Sequence, residues 1–222
     1  MFDRVAPRYD ALNRLLSLGR DRAWRERAIA LARLGPGEFA LDVGVGTGDL
    51  AFGLLHASDP LSRVVGIDVS PGMIAAVRSR AQRLGEARFA PLLASAYALP
   101  FADARFNRVV AGFTVRNFGD LGRGLAEMRR VLRPGGRAVI LELSTPPQVV
   151  IRSAFRMYFD GIAPRIATLA GGDADAYRYL PRSVAAFPAP EGLTERLEQA
   201  GFTNVRFERL SFGIAAIHIG EA

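Results

Sequence analysis

The chain of 222 residues contains no cysteine. Disulfide bonds, catalytic thiolates and cysteine-ligated metals are therefore excluded. Lysine is absent as well, so arginine alone supplies the positive side chains behind a formal net charge of +7 at pH 7. These arginines are spread along the chain and form no basic tail or aromatic-interleaved cluster, which argues against nucleic acid as a partner. Weak attraction to anionic lipid headgroups stays open.

Long uncharged apolar runs are also missing. No stretch is both long and apolar enough to cross a bilayer, and the opening MFDRVAPRYD lacks the apolar run of a signal peptide. We therefore expect a soluble, cytoplasmic protein, with peripheral contact at the inner membrane face as an open alternative. Histidine is scarce too: neither His56 nor His218 has a partner at metal-ligand spacing, so we predict no metal site. A role for His218 as a general base is an alternative.

What is present is an alternation of short apolar runs with helical periodicity. Strands are predicted at 39–43, 64–67, 89–93, 108–112 and 137–143, and helices at 9–34, 49–57, 71–84 and 120–132. Strands that are apolar without alternation indicate a parallel sheet covered on both faces, hence a doubly wound α/β fold. In the first helix, we expect Trp24, Ala28, Ile29 and Ala32 on the buried face and Arg22, Arg25, Glu26 and Arg33 on the opposite one.

The last third of the chain differs in pattern. An apolar stripe over 149–170 predicts helix, broken by Gly161 and Pro164, and a further helix is predicted at 191–200. Two strands follow at 205–210 and 213–219, joined tightly enough to pair as an antiparallel hairpin. The sheet is thus expected to be seven-stranded and mostly parallel.

The stretch FALDVGVGTGDL, residues 39–50, places Gly44, Gly46 and Gly48 between the first strand and the next helix. Glycines there let the backbone approach a nucleotide, and the helix N-terminus offers free N–H groups. The spacing is G-x-G-x-G, whereas dinucleotide-binding turns have G-x-G-x-x-G. Asp49 follows directly, and a carboxylate there repels a pyrophosphate and suits the cationic S-adenosylmethionine. The same acid also simply complements the helix dipole.

Further residues extend this predicted adenosyl site. Asp68 ends the second strand, where a carboxylate accepts both ribose hydroxyls, as it does in NAD proteins. Asp42 ends the first strand, within reach of an amino group or of local backbone donors. Met73 is placed beside the adenine, although a plain core methionine needs no ligand. Ser95 and Ala96 follow the third strand, where a turn contacts the adenine edge.

A resemblance to a known family is carried by five segments in order along nearly the whole chain: YDALNRLLSLGRDRAW, LDVGVGTGDL, ALPFADARFNRVVAGFTVRNF, RRVLRPGGRAVILELSTP and DADAYRYLPRSVAAFP. They resemble the ubiquinone/menaquinone biosynthesis C-methyltransferases, the family of demethylmenaquinone methyltransferase. The first and last segments are the most specific. The chain departs from the family pattern at single positions: Leu12 for Met, Asp21 for His, Ser95 for Asn, Gly112 for Ser and Arg133 for Lys.

The resemblance implies a class I, Rossmann-like methyltransferase that uses S-adenosyl-L-methionine, with Thr47 and Gly112 as further cofactor contacts. The implied acceptor is the ring of a demethylated polyprenyl hydroquinone, demethylmenaquinol or its ubiquinone-pathway counterpart; another small or lipophilic acceptor is the alternative. The methyl group of a sulfonium is already electrophilic, so the protein chiefly aligns donor and acceptor. A ring carbon attacks well once a neighbouring hydroxyl, with a pKa near ~10, has lost its proton.

The resemblance also singles out Arg116 and Asn117, in FTVRNF just past the fourth strand, as catalytic residues. A guanidinium facing the acceptor ring would stabilise its phenolate. From the residues alone, a surface arginine and a turn-forming asparagine are the favoured interpretation. Tyr9, Tyr177 and Tyr179 are predicted to line the acceptor ring, although tyrosines in apolar stretches commonly serve packing.

One domain is expected, in four parts. These are an N-terminal helical lid (1–35), a cofactor-binding core (36–145), an acceptor-side cover (146–190) and a C-terminal helix with hairpin (191–222). The stripe at 149–170 is expected to cover the sheet or a dimer partner. Its arginines would alternatively reach lipid headgroups from a lipid-facing lid.

Overall fold

The computed structural model of the chain describes residues 17, 19–158, 161 and 182–222, and their core is one seven-stranded sheet. The strands are β1 (Phe39–Val43), β2 (Arg63–Asp68), β3 (Phe89–Leu93), β4 (Phe106–Gly112), β5 (Leu132–Leu143), β6 (Thr203–Leu210) and β7 (Ala215–Glu221). Their order is β3-β2-β1-β4-β5-β7-β6. Strands β1 to β5 are parallel, and β7 runs antiparallel to both of its neighbours. The predicted doubly wound fold is confirmed.

Helices cover both faces of this sheet. They are α1 (Asp21–Ala32), α2 (Asp49–Ala57), α3 (Pro71–Leu84), α4 (Leu121–Arg130), α5 (Val149–Met157) and α6 (Pro190–Gln199). Buried side chains of α1, α2 and α3 form one apolar cluster, and those of α4 and α6 form the other. Within β1, Ala40 belongs to the first cluster and Leu41 to the second. Burial on both faces is why this strand shows no polar alternation.

Local signals fix several boundaries where the sequence predicts them. Helix α3 begins with Pro71 behind Ser70, whose hydroxyl accepts a hydrogen bond from the backbone N–H of Met73. It ends at Gly85, which has a φ of +63° and donates back to Ala81 and Gln82. Serine at the N-cap, proline at the first helical position and glycine after the last turn are the expected helix signals.

The C-terminal hairpin forms as predicted, but its place in the sheet depends on distant contacts. Strand β7 lies between β5 and β6, with Ala215 paired to Leu143 of β5 and to Leu210 of β6. Strand β5 begins at Leu132, earlier than the predicted residue 137, because Leu132 already pairs with Phe106 across an irregular register. The carboxyl ends of β5 and β6 and the start of β7 thus share the edge where β1 and β4 end.

One expectation about α1 is wrong. Arg25 does not share the exposed face with Arg22 and Glu26: its side chain is 13% exposed, against 84% for Arg22. The reason is the helix geometry, because Arg25 precedes the buried Ala28 by three residues and lies on the same side. The predicted helix 9–34 is also too long: residues 17, 19 and 20 form a turn, and the helix begins at Asp21 and ends at Ala32. Residues 9–16 and 18 lie outside the described residues. None of the described helices is long and apolar enough to span a membrane.

Candidate active site

A cavity lies at the carboxyl ends of β1, β2 and β4. It is lined by the ends of β1, β2 and β4, the glycine turn after β1, the starts of α2 and α3, the turns that follow β3 and β4, and one residue of α1. The lining residues are Arg25, Asp42, Val43, Gly44, Val45, Gly46, Thr47, Asp49, Leu50, Ile67, Asp68, Val69, Met73, Ala94, Ser95, Ala96, Tyr97, Gly112, Phe113, Thr114, Asn117 and Phe118.

The floor of the cavity is the glycine turn held against the turn after β4. Gly44 has a φ of +71°, and a Cβ added to it would overlap the side chain of Thr114. The Thr114 hydroxyl lies 3.2 Å from the carbonyl oxygen of Gly44 and 3.1 Å from that of Gly112. Gly44 is therefore required both by its backbone conformation and by the close approach of a second turn.

Gly48 has a different role from the other two glycines. It is the N-cap of α2, with a φ of +92°, and it is not among the lining residues. A Cβ there would lie 2.7 Å from Cγ2 of Val77 and 2.6 Å from the ring of Phe52. Gly48 therefore permits close helix packing, as the third glycine does in a dinucleotide turn, although it is one position nearer to the second glycine.

Two carboxylates end adjacent strands at the cavity. Asp68 of β2 accepts hydrogen bonds from the backbone N–H of Gly46 at 3.0 Å and of Ser70 at 2.9 Å, which ties the glycine turn to β2. Asp42 of β1 is fully buried and accepts from the N–H of Ala51. Burial raises the pKa of Asp42 to about 7, and the negative charge of Asp68 adds to this shift.

The third acid, Asp49, is paired with arginine. Nη1 of Arg80 donates to Oδ1 of Asp49 at 2.7 Å and to the carbonyl of Thr47 at 3.0 Å. Arg80 also lies over the ring of Phe52, at 5.0 Å from its centre. Because the charge of Asp49 is compensated, it cannot by itself repel a phosphate, and a preference for a cationic ligand depends on Asp42 and Asp68.

The side of the cavity near β3 is apolar with a polar rim. Met73 of α3 and Ala96 are buried, and both line the cavity. The hydroxyl of Ser95 accepts a hydrogen bond from the N–H of Tyr97 at 3.2 Å, which closes a tight turn after β3. A flat apolar surface edged by backbone groups is what an adenine ring requires.

Beyond β4 the two predicted catalytic residues separate. Asn117 lines the cavity, and its Nδ2 lies 3.5 Å from the carbonyl of Phe113. Arg116 is not among the lining residues: its Nη1 donates to Oε2 of Glu142 at 2.9 Å, and this pair is buried, with side-chain exposures of 7% and 2%. Glu142 also accepts from the backbone N–H groups of Arg116 and Leu143. The pair therefore fixes the 3-10 turn that carries Asn117.

The structure thus brings ten predicted site residues together at one cavity: Asp42, Gly44, Gly46, Thr47, Asp68, Met73, Ser95, Ala96, Gly112 and Asn117. Tyr9, Tyr177 and Tyr179 lie outside the described residues. His218 is elsewhere: it is buried in β7, its Nε2 lies 2.8 Å from the carbonyl of Pro190, and burial lowers its pKa to about 4.

Three residues at or beside the cavity were missed from the sequence. Thr114 and Glu142 act through partners far along the chain, and a single sequence gives no signal for such pairs. Arg25 did carry a signal, because Asp21 one turn earlier makes an i, i+4 pair of opposite charges. Asp21 is itself buried, and that is unusual for a surface pair.

The chemistry of this lining fits S-adenosylmethionine, which joins a nucleoside to a sulfonium, an ammonium and a carboxylate without any phosphate. Carboxylates end β1 and β2, a guanidinium faces them, and an apolar wall follows β3. At Gly46 a Cβ would meet nothing within 4 Å, so the turn leaves open space for a ligand. Sheet order and cavity together define a doubly wound nucleoside-binding protein of the methyltransferase type.

Solved structures and sequence relatives agree with this class. An S-adenosylmethionine-dependent methyltransferase from Aquifex aeolicus superposes with a TM-score of 0.66 at 18% identity, covering 95% of this chain and 96% of that one. The [4+2]-cyclase SpnF reaches 0.70 at 20% identity, covering 92% and 81%. At such identities the likeness shows the fold alone, and the cyclase illustrates that the fold is not limited to one reaction.

The sequence comparison is more specific. A demethylmenaquinone methyltransferase of Thermus thermophilus is 49% identical over 100% of this chain and 99% of its own length. A ubiquinone/menaquinone biosynthesis C-methyltransferase UbiE of Geobacter sulfurreducens is 42% identical over 100% and 86%. The ubiE/COQ5 methyltransferase family matches residues 1–222, and the chain belongs to this family. The resemblance given by the sequence motifs is confirmed, and the protein is an S-adenosylmethionine-dependent methyltransferase.

Proposed function

We propose that this enzyme transfers the methyl group of S-adenosylmethionine to a ring carbon of a demethylated polyprenyl hydroquinone, with demethylmenaquinol as the favoured acceptor. The observation that carries this proposal is the end-to-end similarity to relatives named demethylmenaquinone methyltransferase, at 49% and 45% identity over the whole chain. The ubiquinone precursor is the second candidate acceptor, because some relatives carry a name that includes both pathways.

The residues that would hold the cofactor follow from the cavity. Asp68 would accept the ribose hydroxyls, Met73 and Ala96 would pack against the adenine, and the backbone of Gly46 would face the sulfur end. Asp42 would face the positive charge of the donor. When bound, S-adenosylmethionine supplies an electrophilic methyl group. That methyl group would pass from the sulfur to a ring carbon, which would give up its proton, and S-adenosylhomocysteine would remain.

The acceptor would enter beside the 3-10 turn Val115–Asn117. Asn117 has its side chain at the cavity and would orient a ring hydroxyl, while Arg116 holds the turn through Glu142. Direct contact of Arg116 with the phenolate stays a prediction, and so do the roles of Tyr9, Tyr177 and Tyr179. If the phenolate of the acceptor took the place of Glu142 beside Arg116, the guanidinium of Arg116 would still be paired with an anion.

We also propose that the acceptor-side edge contacts a lipid surface. Phe212, in the turn between β6 and β7, has a φ of +60° and is 72% exposed. Val149, Val150 and Met157 on α5 are similarly exposed. The neighbouring Gly213 packs against Pro147, which places the turn close to the start of α5. Apolar side chains at the edge of the sheet where the cavity lies would suit an acceptor whose prenyl tail lies in a membrane.

The test is a methyl-transfer assay with purified protein, ¹³C-methyl-labelled S-adenosylmethionine and chemically reduced acceptors, read by mass spectrometry. We expect label in the ring of menaquinol when demethylmenaquinol is supplied, and none when the oxidised quinone is supplied, because only the hydroquinone can become a phenolate. A ubiquinone precursor, a tocopherol precursor and a small amine serve as competing acceptors. Labelling of the amine or the tocopherol precursor alone would overturn the proposal.

A further inference from the structure

One positively charged side chain lines the cavity, and the proposed chemistry gives it no role. Arg25 of α1 is among its lining residues, where the other charged residues are Asp42, Asp49 and Asp68. Within the described part of the chain, Arg25 is thus the single positive side chain that lines the cavity. An arginine among the lining residues of a site for a cationic ligand requires an explanation.

The guanidinium is held from its back. Its Nη1 pairs with Oδ2 of the buried Asp21, and the other oxygen of Asp21 accepts from the hydroxyl of Ser17 at 2.8 Å. The ring of Phe113 lies beneath it, with its centre 5.1 Å from Cζ of Arg25. An ion pair and a cation–π contact fix one orientation, so little rotamer entropy is left to lose on binding a ligand.

The other side of the guanidinium offers donors. Among the described residues, Nε and Nη2 have no hydrogen-bond partner; the nearest anion is Asp49, whose Oδ2 lies 3.8 Å from Nε. That distance is too long for a hydrogen bond. Nε–H and Nη2–H of arginine point in parallel and match the two oxygens of a carboxylate.

We propose that Arg25 binds the α-carboxylate at the methionine end of S-adenosylmethionine. This inference rests on the cofactor named in the proposed function. It gives a binding partner to the carboxylate of that cofactor, which the acids of the cavity cannot bind. Asp42 and Asp68 suit the positive charge of the donor and its ribose, but they would repel a carboxylate. Arg25 stands in reach of that end because Asp49, its neighbour, begins α2 directly after the glycine turn.

The inference implies an order in the site. The carboxylate would lie between α1 and the start of α2, and the adenosyl part would extend towards β2 and β3. Helix α1 then closes the methionine end of the cavity, while Trp24 anchors the helix through a 2.9 Å hydrogen bond from Nε1 to the hydroxyl of Ser211. Helix α1 would thereby be part of the cofactor site.

The test pairs a protein change with a matched ligand change. Wild type and Arg25→Met are titrated by calorimetry with S-adenosylmethionine and with decarboxylated S-adenosylmethionine, which keeps the sulfonium and the amine but lacks the carboxylate. Wild type is expected to prefer the carboxylated ligand by about tenfold to hundredfold, as for a hydrogen-bonded ion pair. Arg25→Met is expected to lose that preference, with unchanged affinity for the decarboxylated ligand.

Two further variants keep the test decisive. Arg22→Met, on the exposed side of the same helix, should change neither affinity. Arg25→Lys retains the positive charge but not the two parallel N–H donors, so it should keep part of the preference for the carboxylated ligand. It replaces Arg25→Met in the test if that variant does not fold. Equal weakening of both ligands would overturn the proposal and leave Arg25 a structural role. Failure of wild type to bind S-adenosylmethionine at all would instead overturn the proposed function.

Discussion

The two sides of the cavity differ in how their residues are held. On the cofactor side, Asp42, Gly44 and Asp68 belong to strand ends and turns whose partners are mostly close in sequence or on the neighbouring strand. On the acceptor side, Arg116 depends on Glu142 of another strand, and the predicted tyrosines lie outside the described residues. The first side is set by backbone geometry, whereas the second is set by a buried pair of charges.

This difference predicts different responses to mutation. A turn defined by backbone conformation fails when a side chain is added, because there is no space for it. A buried ion pair fails when one member is removed, because the remaining charge has lost its partner, yet removing both charges can be tolerated. Four experiments follow from this contrast, in order of expected effect.

The largest effect is expected for Arg116→Met. Loss of the guanidinium leaves Glu142 buried without its countercharge, which should lower the free energy of unfolding by about 3 to 5 kcal/mol. The double variant Arg116→Met/Glu142→Gln should regain most of this, because it buries no unpaired charge. Urea unfolding of wild type, both single variants and the double variant forms the thermodynamic cycle. A single-variant loss below about 1 kcal/mol would contradict the assigned role of the pair.

The double variant also separates two roles of Arg116 in catalysis. If the arginine only holds the 3-10 turn, the stable double variant should turn over at close to the wild-type rate. If the guanidinium contacts the phenolate, kcat should stay low although the fold is restored. Measuring kcat and stability on the same samples therefore tests the predicted phenolate contact. A single replacement of Arg116 cannot separate a loss of this contact from a loss of stability.

The same contrast explains how much could be predicted from the sequence. Strands β1 and β3 and helices α2 and α3 match their predicted bounds, because apolar runs, caps and glycines act locally. Most of the lining residues predicted to bind the cofactor lie in these turns. The partner of Arg116 is 26 positions away on β5, and only the folded sheet brings the two together.

Arg25 is the exception that a better interpretation of periodicity would have found. Its spacing to Ala28 and Ala32 places it on the buried side of α1, and Asp21 supplies an opposite charge one turn earlier. The prediction places Arg25 on the outer face because charged side chains are rarely buried. A mostly buried arginine paired with a buried aspartate is unlike a residue of a solvated helix face.

The second experiment adds one methyl group to each of two glycines on the cofactor side. Gly44→Ala should lower the free energy of unfolding by about 2 to 4 kcal/mol and abolish cofactor binding, because it adds backbone strain and an overlap with Thr114. Gly46→Ala is the matched control for stability: its φ is also positive, but the added Cβ meets no protein atom within 4 Å, so only the conformational cost of about 1 to 2 kcal/mol applies. Its methyl group enters the space left for the ligand, so weaker cofactor binding is expected in both variants, and only the stabilities are compared. Urea unfolding measures stability and titration with S-adenosylhomocysteine measures binding. Equal losses of stability in the two variants would show that the contact with Thr114 is unimportant.

The third experiment concerns the exposed edge beside the acceptor side. Phe212→Ser should weaken sedimentation with anionic phospholipid vesicles about tenfold, since burial of a phenylalanine contributes about 1.5 to 3 kcal/mol. Leu61→Ser is the control, because Leu61 is equally exposed but precedes β2, at the opposite edge of the sheet. Absence of vesicle binding by wild type, or equal losses in both variants, would contradict the proposed lipid contact.

The smallest effect is expected from the protonation of Asp42. With a pKa raised to about 7, the side chain of Asp42 gains negative charge as the pH rises from 6 to 7. The carboxylate form attracts the cationic donor and the neutral form does not, so affinity for S-adenosylmethionine should rise several-fold, by at most about tenfold, across this interval, with proton release on binding. Burial is the main cause of the raised pKa and the charges of Asp68 and Asp49 add to it, whereas Arg25 lowers the pKa, and the donor's positive charge acts in the same direction as Arg25.

The measurement is calorimetry at pH 6.0, 6.5 and 7.0 in buffers of different ionisation enthalpy, which counts the protons released. Asp42→Asn should bind more weakly at pH 7, with an affinity that no longer varies with pH and without proton release. A wild-type affinity that is flat between pH 6 and 7, together with an unchanged affinity in Asp42→Asn, would show that Asp42 does not hold the donor's charge. In that case the buried acid of β1 would serve only the N–H of Ala51, and Asp68 would be the remaining acid beside the donor's positive charge.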